Sequence, residues 1–150
     1  MEWEQLQPSQ LQELVDYEVG IFDEPDRSTV QEYLNHIKTN NLHIHVLRDS
    51  SGIIGCYQIL PEEDRVFMCG FSIHPNHRGG DLSRILMNHL IHNYLDQGIV
   101  CKTLANHPAM RKILNSSGWK NDLDKFEKGI LWSWWYINND TIAKKAGLKP

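Results

Sequence analysis

The stretch that most limits what this chain can fold into runs from residue 66 to 105. Residues 66-VFMCGFSI-73 form an unbroken apolar run. Leu82, Ile85, Leu86, Leu90, Ile91, Tyr94 and Leu95 then recur at helical spacing, and 99-IVCKTLA-105 is apolar again. Two short apolar strands on either side of an amphipathic helix predict a parallel pair, because a parallel partner is reached only through a long crossover. The segment therefore reads as a βαβ unit with a right-handed connection. Its first strand is apolar on both faces, as a central strand covered on both sides would be. Gly98 stops the helix as a C′ glycine does.

The rest of the chain arranges itself around this unit. Met1–Leu6 is expected as a short first strand. Ser9 with Gln12 reads as a capping box, followed by Leu11, Leu14 and Val15 on one helical face. Ser28 with Gln31 opens a second helix, carried by Val30, Tyr33, Leu34 and Ile37 and ended by Asn40-Asn41. Residues 42–48 set Leu42, Ile44 and Val46 against His43 and His45. The turn 49-DSSG-52 joins them to 53-IIGCYQIL-60 as a hairpin. A short helix over 108–117, then Gly118-Trp119, precede strand-like runs near 119–127 and 130–137. The order β-α-α-β-β-β-α-β-α-β-β is that of an α/β domain with a mixed sheet. No repeat or linker divides it, so 1–150 reads as one domain, with 139–150 as a loose basic tail.

Composition narrows the partners. At 150 residues, with 41% hydrophobic and 23% charged, the chain is sized for one globular core. No apolar run approaches the ~20 residues of a membrane span, and the acidic N-terminus has no signal-peptide core, so a cytoplasmic protein without a membrane role is expected. Cys56, Cys69 and Cys101 sit inside apolar runs without metal-ligand spacing, and read as small core residues in a reducing compartment. The net charge of −4 hides an asymmetry: residues 1–26 hold eight acids and neither Lys nor Arg, and the other 124 residues net +4. No basic stripe of the kind nucleic acid requires is present. His89 and His92, and likewise His43 and His45, lack an acid or thiol at ligand spacing, so no metal site is expected.

Between the strand and helix of the βαβ unit lies 74-HPNHRGGDLS-83. The first N–H groups of a helix have no intrahelical partner and sit at the positive end of its dipole, which makes them an anion site. Gly79 and Gly80 let the backbone approach a phosphate closely, and Arg78 adds a fixed charge. The residues alone leave two readings open, a phosphate-bearing ligand or a strand–Gly–helix turn that binds nothing.

Here the chain resembles the GNAT superfamily of acyl-CoA N-acyltransferases, over nearly its whole length. The cofactor motif (Q/R)-x-x-G-x-(G/A) falls on 78-RGGDLS-83, after the hydrophobic-x-hydrophobic-x-Pro pattern in 71-FSIHP-75. The second signature, an Asn after the next strand followed by a short helix and Gly-aromatic, falls on 106-NHPAMRKILNSSGW-119. The resemblance implies a single GNAT-like α/β domain, with a mixed, mostly antiparallel central sheet, splayed parallel strands and about four flanking helices. It implies acetyl-CoA as cosubstrate. The pantetheine arm would pair with the backbone of Phe71, Ser72 and Ile73, near Asn106. The pyrophosphate would lie on the N–H groups of Arg78, Gly79, Gly80, Asp81, Leu82 and Ser83.

Several positions depart from the family's pattern. Asp81 stands where the fourth motif residue is usually Gly, and Ser83 keeps only the small size of the sixth. A carboxylate beside two phosphate charges is expected to weaken the site, or to cap the helix by accepting from the N–H of residue 83 or 84. Leu114 replaces the Tyr that protonates the leaving thiolate in many relatives, a pattern similar to the ribosomal-protein N-terminal acetyltransferase branch. Phe67 stands where some relatives carry a Glu base. The catalytic candidates left are Asn115 and Ser116, to position a water, and His74, because an imidazole is a residue type that can serve as a base. A His beside a Pro at a strand end is more often a cap or a surface residue.

The resemblance puts the acceptor side near the first two helices, where Glu18, Asp23, Glu24 and Asp26 would attract a cationic amine or form a solvated acidic face. Trp132 and Trp134 alternate with Trp135 and join Trp119 in an aromatic group, read as core packing or as an acceptor wall or dimer patch. The expected reaction is acetyl transfer to a primary amine, on a small molecule or a protein, by direct attack in a ternary complex. The protein would be a monomer or homodimer. The rival expectation is a non-catalytic acyl-CoA-binding or protein-interaction module on the same scaffold.

Overall fold

The computed structural model describes residues 1–138; the tail over 139–150, expected to be loose, lies outside them. The described residues divide into two compact units, Met1–Pro61 with Gly70–Leu86, and Glu62–Cys69 with those from Met87 onward. The element order is the expected one, and it makes an α/β fold with seven strands and four α-helices among the described residues.

In the first unit, β1 (Glu2–Gln5), β2 (His43–Asp49), β3 (Gly52–Pro61) and the later residues of β4 (Val66–Ile73) follow one another in that order. β1 runs antiparallel to β2 with Glu2 opposite Arg48, and β2 antiparallel to β3 with Val46 opposite Cys56. Neighbouring residues of β2 face opposite ways, as the strand's two-residue period requires. Ile44 and Val46 pack with Leu11 and Leu14 of α1 (Leu11–Val19) and Tyr33 of α2 (Val30–Asn40). Leu47 packs instead with Leu82 and Leu86 of α3 (Leu82–Tyr94). Helices thus cover both faces of this half-sheet. α3 lies so close to β3 that an ideal Cβ at Gly55 would fall 2.7 Å from Leu86 Cδ1.

Both early helices start elsewhere than expected. Ser9 does not cap α1. A 3-10 turn over Pro8–Gln10 comes first, with the Gln7 N–H donating to Gln10 Oε1 at 2.8 Å. Pro8 suits that turn because its fixed φ costs nothing there and its missing N–H is not needed. α2 is capped by Thr29 and Glu32 rather than by Ser28 and Gln31. Thr29 Oγ1 accepts from the Glu32 N–H and Glu32 Oε1 accepts from the Thr29 N–H, both at 3.1 Å. The sequence offers both boxes one residue apart, and the one with the charged acceptor forms. Asn41 closes α2 in the left-handed conformation, with φ of 55°.

In the second unit the strand order is β4, β5 (Ile99–Leu104), β7 (Ile130–Ile137), β6 (Lys120–Glu127). β4 and β5 run parallel, but their register covers two pairs, Val66 with Ile99 and Phe67 with Val100. β5 to β7 and β7 to β6 are antiparallel, with Cys101 opposite Trp135. The expectation of a β4 covered on both faces fails. Val66 and Met68 are buried, Cys69 is exposed and residues 70–73 are half-buried. Cys56 and Cys101 are core residues, and Cys69 is not. Apolar composition marks a strand but does not count the neighbours that cover it.

α4 (Pro108–Ser116) explains the Gly-aromatic pair. Gly118 takes a φ of 86°, its N–H reaches the Asn115 carbonyl at 3.4 Å, and the Trp119 N–H reaches the Leu114 carbonyl at 3.1 Å. These are the two bonds of a Schellman stop, which needs a residue free to adopt positive φ. Trp119 then sinks into the core at 3% exposure, where its Nε1–H lies 3.3 Å from Met87 Sδ. Among the described residues no helix is long and apolar enough to cross a membrane.

Candidate active site

The segment leaving β4 is held at several points within the first unit. The His74 N–H donates to the Ile54 carbonyl at 2.9 Å. Pro75–His77 forms a single 3-10 turn, and His74 Nδ1 accepts from the Asn76 N–H at 3.1 Å. That is the capping role, and it occupies the ring nitrogen a base would use. Arg78 Nε donates back to the Ile73 carbonyl at 3.1 Å, which ties the loop's cation to the last residue of the strand. The Tyr17 hydroxyl lies 3.1 Å from Ser72 Oγ, joining α1 to the same strand end. Burial raises the Tyr17 pKa well above its ordinary value, so this hydroxyl keeps its proton at any ordinary pH.

The glycines do different things. Gly79 has a φ of 85°, which a residue with a Cβ rarely adopts. Gly80 is not in that region, and what it supplies is space. No heavy atom lies within 4 Å of an ideal Cβ at either position. α3 follows, with the Ile85 N–H donating to the Asp81 carbonyl at 3.0 Å as its opening bond. Leu82 is buried and packs with Leu86, which fixes the helix start against the sheet.

Asp81 does not cap this helix through its side chain. Its carboxylate lies 3.3 Å from the Arg84 guanidinium, both side chains mostly exposed, and accepts no N–H of residue 83 or 84. The donors of the first turn are therefore not consumed by the carboxylate. Arg78, the open space at Gly79 and Gly80, and these N–H groups suit a diphosphate, so the residues fit the ligand that the motif implies.

Phe71, Ser72, Ile73, His74 and Arg78 through Ser83 come together in the first unit. Asn106, Asn115 and Ser116 belong to the second. Asn106 is exposed just past β5. Asn115 and Ser116 line a shallow basin of about 610 Å³ with Pro108, Arg111 and Lys112. Ser116 Oγ is spent on the Ile113 carbonyl at 3.1 Å. Leu114, at the position of the missing Tyr, is fully buried. Phe67, at the position of the missing Glu, packs 6.1 Å from the Trp134 ring. Trp135 is buried, while Trp132 and Trp134 are half-exposed and carry Lys102 Nζ over their rings at 4.8 and 5.6 Å. Lys102 also pairs with Glu127 at 2.7 Å.

The acidic group of the first segment separates. Asp23, Glu24 and Asp26 are exposed, whereas Glu18 is 6% exposed and accepts a short hydrogen bond from the Tyr33 hydroxyl. Gln58 Nε2 donates to the same hydroxyl at 3.2 Å. Desolvation raises the Glu18 pKa, and the Tyr33 hydrogen bond opposes the rise. Sequence reasoning missed this set. Its signal was present: Glu18 continues the buried stripe of Leu11 and Leu14, a carboxylate on the face that enters the core.

Comparison with known proteins agrees with the fold. The model of the Acetyltransferase (GNAT) family matches residues 4–113. No curated protein matches. The ribosomal-protein-S18-alanine N-acetyltransferase of Escherichia coli is similar at a TM-score of 0.77 and 11% identity, with 91% of this chain and 92% of that one covered. A spermidine N-acetyltransferase chimera of Vibrio cholerae SpeG with hSSAT gives 0.70 at 16% identity, covering 94% and 97%. The yncA protein of Salmonella typhimurium, solved with its cofactor acetyl-CoA, gives 0.70 at 12% identity, covering 91% and 92%. At such identities the structures show a shared fold, and the family model, matching most of the chain, shows descent: the protein belongs to the GNAT family of acetyltransferases.

Proposed function

We propose that this chain, 1–150, is one N-acetyltransferase domain that moves the acetyl group of acetyl-CoA to a primary amine of a small molecule or a protein. The observation that carries the reading is the start of α3, where Asp81 is turned toward Arg84 and leaves the N–H donors beside Arg78 to an anion. In this reading the N–H groups of Gly79–Ser83 and the Arg78 guanidinium hold the diphosphate. The backbone of Phe71, Ser72 and Ile73 holds the amides of the arm. The cosubstrate supplies an acyl group already activated as a thioester, and a β4 N–H polarises its carbonyl. Direct attack by a positioned amine then draws most of its rate from proximity.

Relatives of the same fold are described as acting on a ribosomal-protein alanine and on spermidine, and one holds acetyl-CoA. They support a primary amine as the acceptor class. The buried Leu114 and the packed Phe67 favour the second reading, a non-catalytic acyl-CoA-binding module. Calorimetric titration with CoA, followed by thiol release from acetyl-CoA against a panel of amines, tests both. Binding with amine-dependent release is expected. Binding without release favours the module, and no binding overturns both.

A further inference from the structure

Glu18 is a costly residue where it stands. It lies in the last turn of α1, the negative end of the helix dipole, and is almost fully buried. No Lys, Arg or His pairs with it among the described residues, so its charge has no internal counter-ion. One carboxyl oxygen accepts from Tyr33 of α2, whose hydroxyl accepts from Gln58 of β3. The other oxygen takes no hydrogen bond from the described residues, yet it is not among the buried polar atoms cut off from solvent. A buried carboxylate kept without a cation is most simply explained by a cation that arrives.

The surroundings connect it to the strand that would carry the acyl group. Tyr17, the preceding residue, reaches Ser72 of β4. Gln58 lies against Gly70, where an ideal Cβ would come 3.2 Å from its side-chain carbonyl carbon. Tyr17 on its own helix and Tyr33 on α2 are the titratable groups beside Glu18, and Gln58 of β3 holds the Tyr33 hydroxyl. None of them carries a charge at neutral pH. Burial and the Glu18 bond keep Tyr33 protonated, so it is a fixed donor and only Glu18 changes state.

We propose that Glu18 receives the ammonium of the acceptor and takes its proton, an inference that rests on the acetyltransferase reading above. The ammonium N–H bond breaks with its proton passing to the Glu18 carboxylate, which leaves a neutral amine and a carboxylic acid. The amine lone pair forms the N–C bond to the acetyl carbon. The C–S bond breaks, and thiolate departs with that electron pair. The second proton shed by the new amide nitrogen neutralises the thiolate, and Glu18 returns its own proton to solvent. The arrangement selects protonated primary amines, and it places the base on α1 instead of on the central strand where Phe67 stands.

The test uses the full chain, Glu18→Gln and Tyr33→Phe, with spermidine and an alanyl peptide as amine probes. Glu18→Gln is expected to bind acetyl-CoA as the wild type does and to lower kcat/KM for the amine about a hundredfold. It should also lose the ascending acid limb of the pH profile. Tyr33→Phe removes the bond that lowers the Glu18 pKa, and moves that limb to higher pH. A rate and limb unchanged in Glu18→Gln overturn the inference. A ¹³C NMR titration of the wild-type Glu18 carboxyl decides the case in which neither probe is acetylated. A midpoint that falls when spermidine is added supports the docking of a cation, and an unmoved midpoint overturns it. Failure to bind acetyl-CoA sinks the acetyltransferase reading while leaving that titration to stand alone.

Discussion

The Asp81 carboxylate, just before α3, meets the guanidinium of Arg84 in the first turn at 3.3 Å, instead of closing over the N–H groups it precedes. An exposed pair of this kind is worth little, about 0.3–0.5 kcal/mol on a helix surface. It holds the charge beside the loop, however, and a carboxylate there opposes a diphosphate. Asp81→Gly is therefore expected to tighten CoA binding about threefold at low salt, and less at high salt as screening removes the repulsion. Calorimetry at two ionic strengths measures this, and an unchanged or weaker affinity contradicts it.

Arg78 does two jobs that a lysine cannot combine. Its Nε holds the Ile73 carbonyl at 3.1 Å and leaves the other guanidinium nitrogens for a ligand. Arg78→Ala should weaken CoA about tenfold or more, the loss of a charge-assisted contact. Arg78→Lys should restore only part of that, because one ammonium cannot serve both partners. Equal affinities for Arg78→Lys and the wild type, read by the same titration, would refute the dual role.

Gly55 measures how tightly α3 is seated. Its ideal Cβ would lie 2.7 Å from Leu86 Cδ1, and Leu86 has no exposed surface into which to move. Gly55→Ala should cost roughly 1–3 kcal/mol in urea unfolding, the usual range for overpacking. Leu86→Ala opens a cavity by itself, so the double variant should lose less than the sum of the single losses. Additive losses would show that the two side chains do not collide.

Glu18 should also announce itself in stability. Its ordinary pKa is 4.5 and burial raises it in the folded chain. Between those two values the unfolded state releases a proton that the folded state keeps, so stability falls as pH rises through the folded pKa. Glu18→Gln has no such titration. The two proteins should melt alike below pH 4.5, with the variant gaining on the wild type as pH rises through the folded pKa. A gap independent of pH would mean that the carboxyl does not change state on folding.

Much of the fold was legible because its signals are local. The periodicity of 82–95 and the apolar runs beside it specify α3, β4 and β5, and Gly118-Trp119 specifies a helix stop whose two hydrogen bonds are present. The caps of α1 and α2 slipped by one or two residues, since Ser, Thr and Gln offer competing boxes at adjacent positions. The turn between β4 and α3, with Gly79 at positive φ, was legible for the same local reason. The Glu18, Tyr33 and Gln58 set was not, because its members lie 15 and 25 residues apart and only the packing of α1 and α2 on β3 unites them. Nor could the direction of the Asp81 side chain be read, because Arg84 and the helix N–H groups compete for it on nearly equal terms.

Lys102, poised over Trp132 and Trp134 and clamped by Glu127, alters what that indole pair offers. Two half-exposed tryptophan faces look like a berth for a foreign cation, but the berth already holds one, covalently tethered and charge-balanced. A visiting ammonium would have to evict a neighbour that cannot diffuse away and would meet its repulsion on the way in. Only chemistry that neutralises the lysine, such as its own acylation, would vacate those faces.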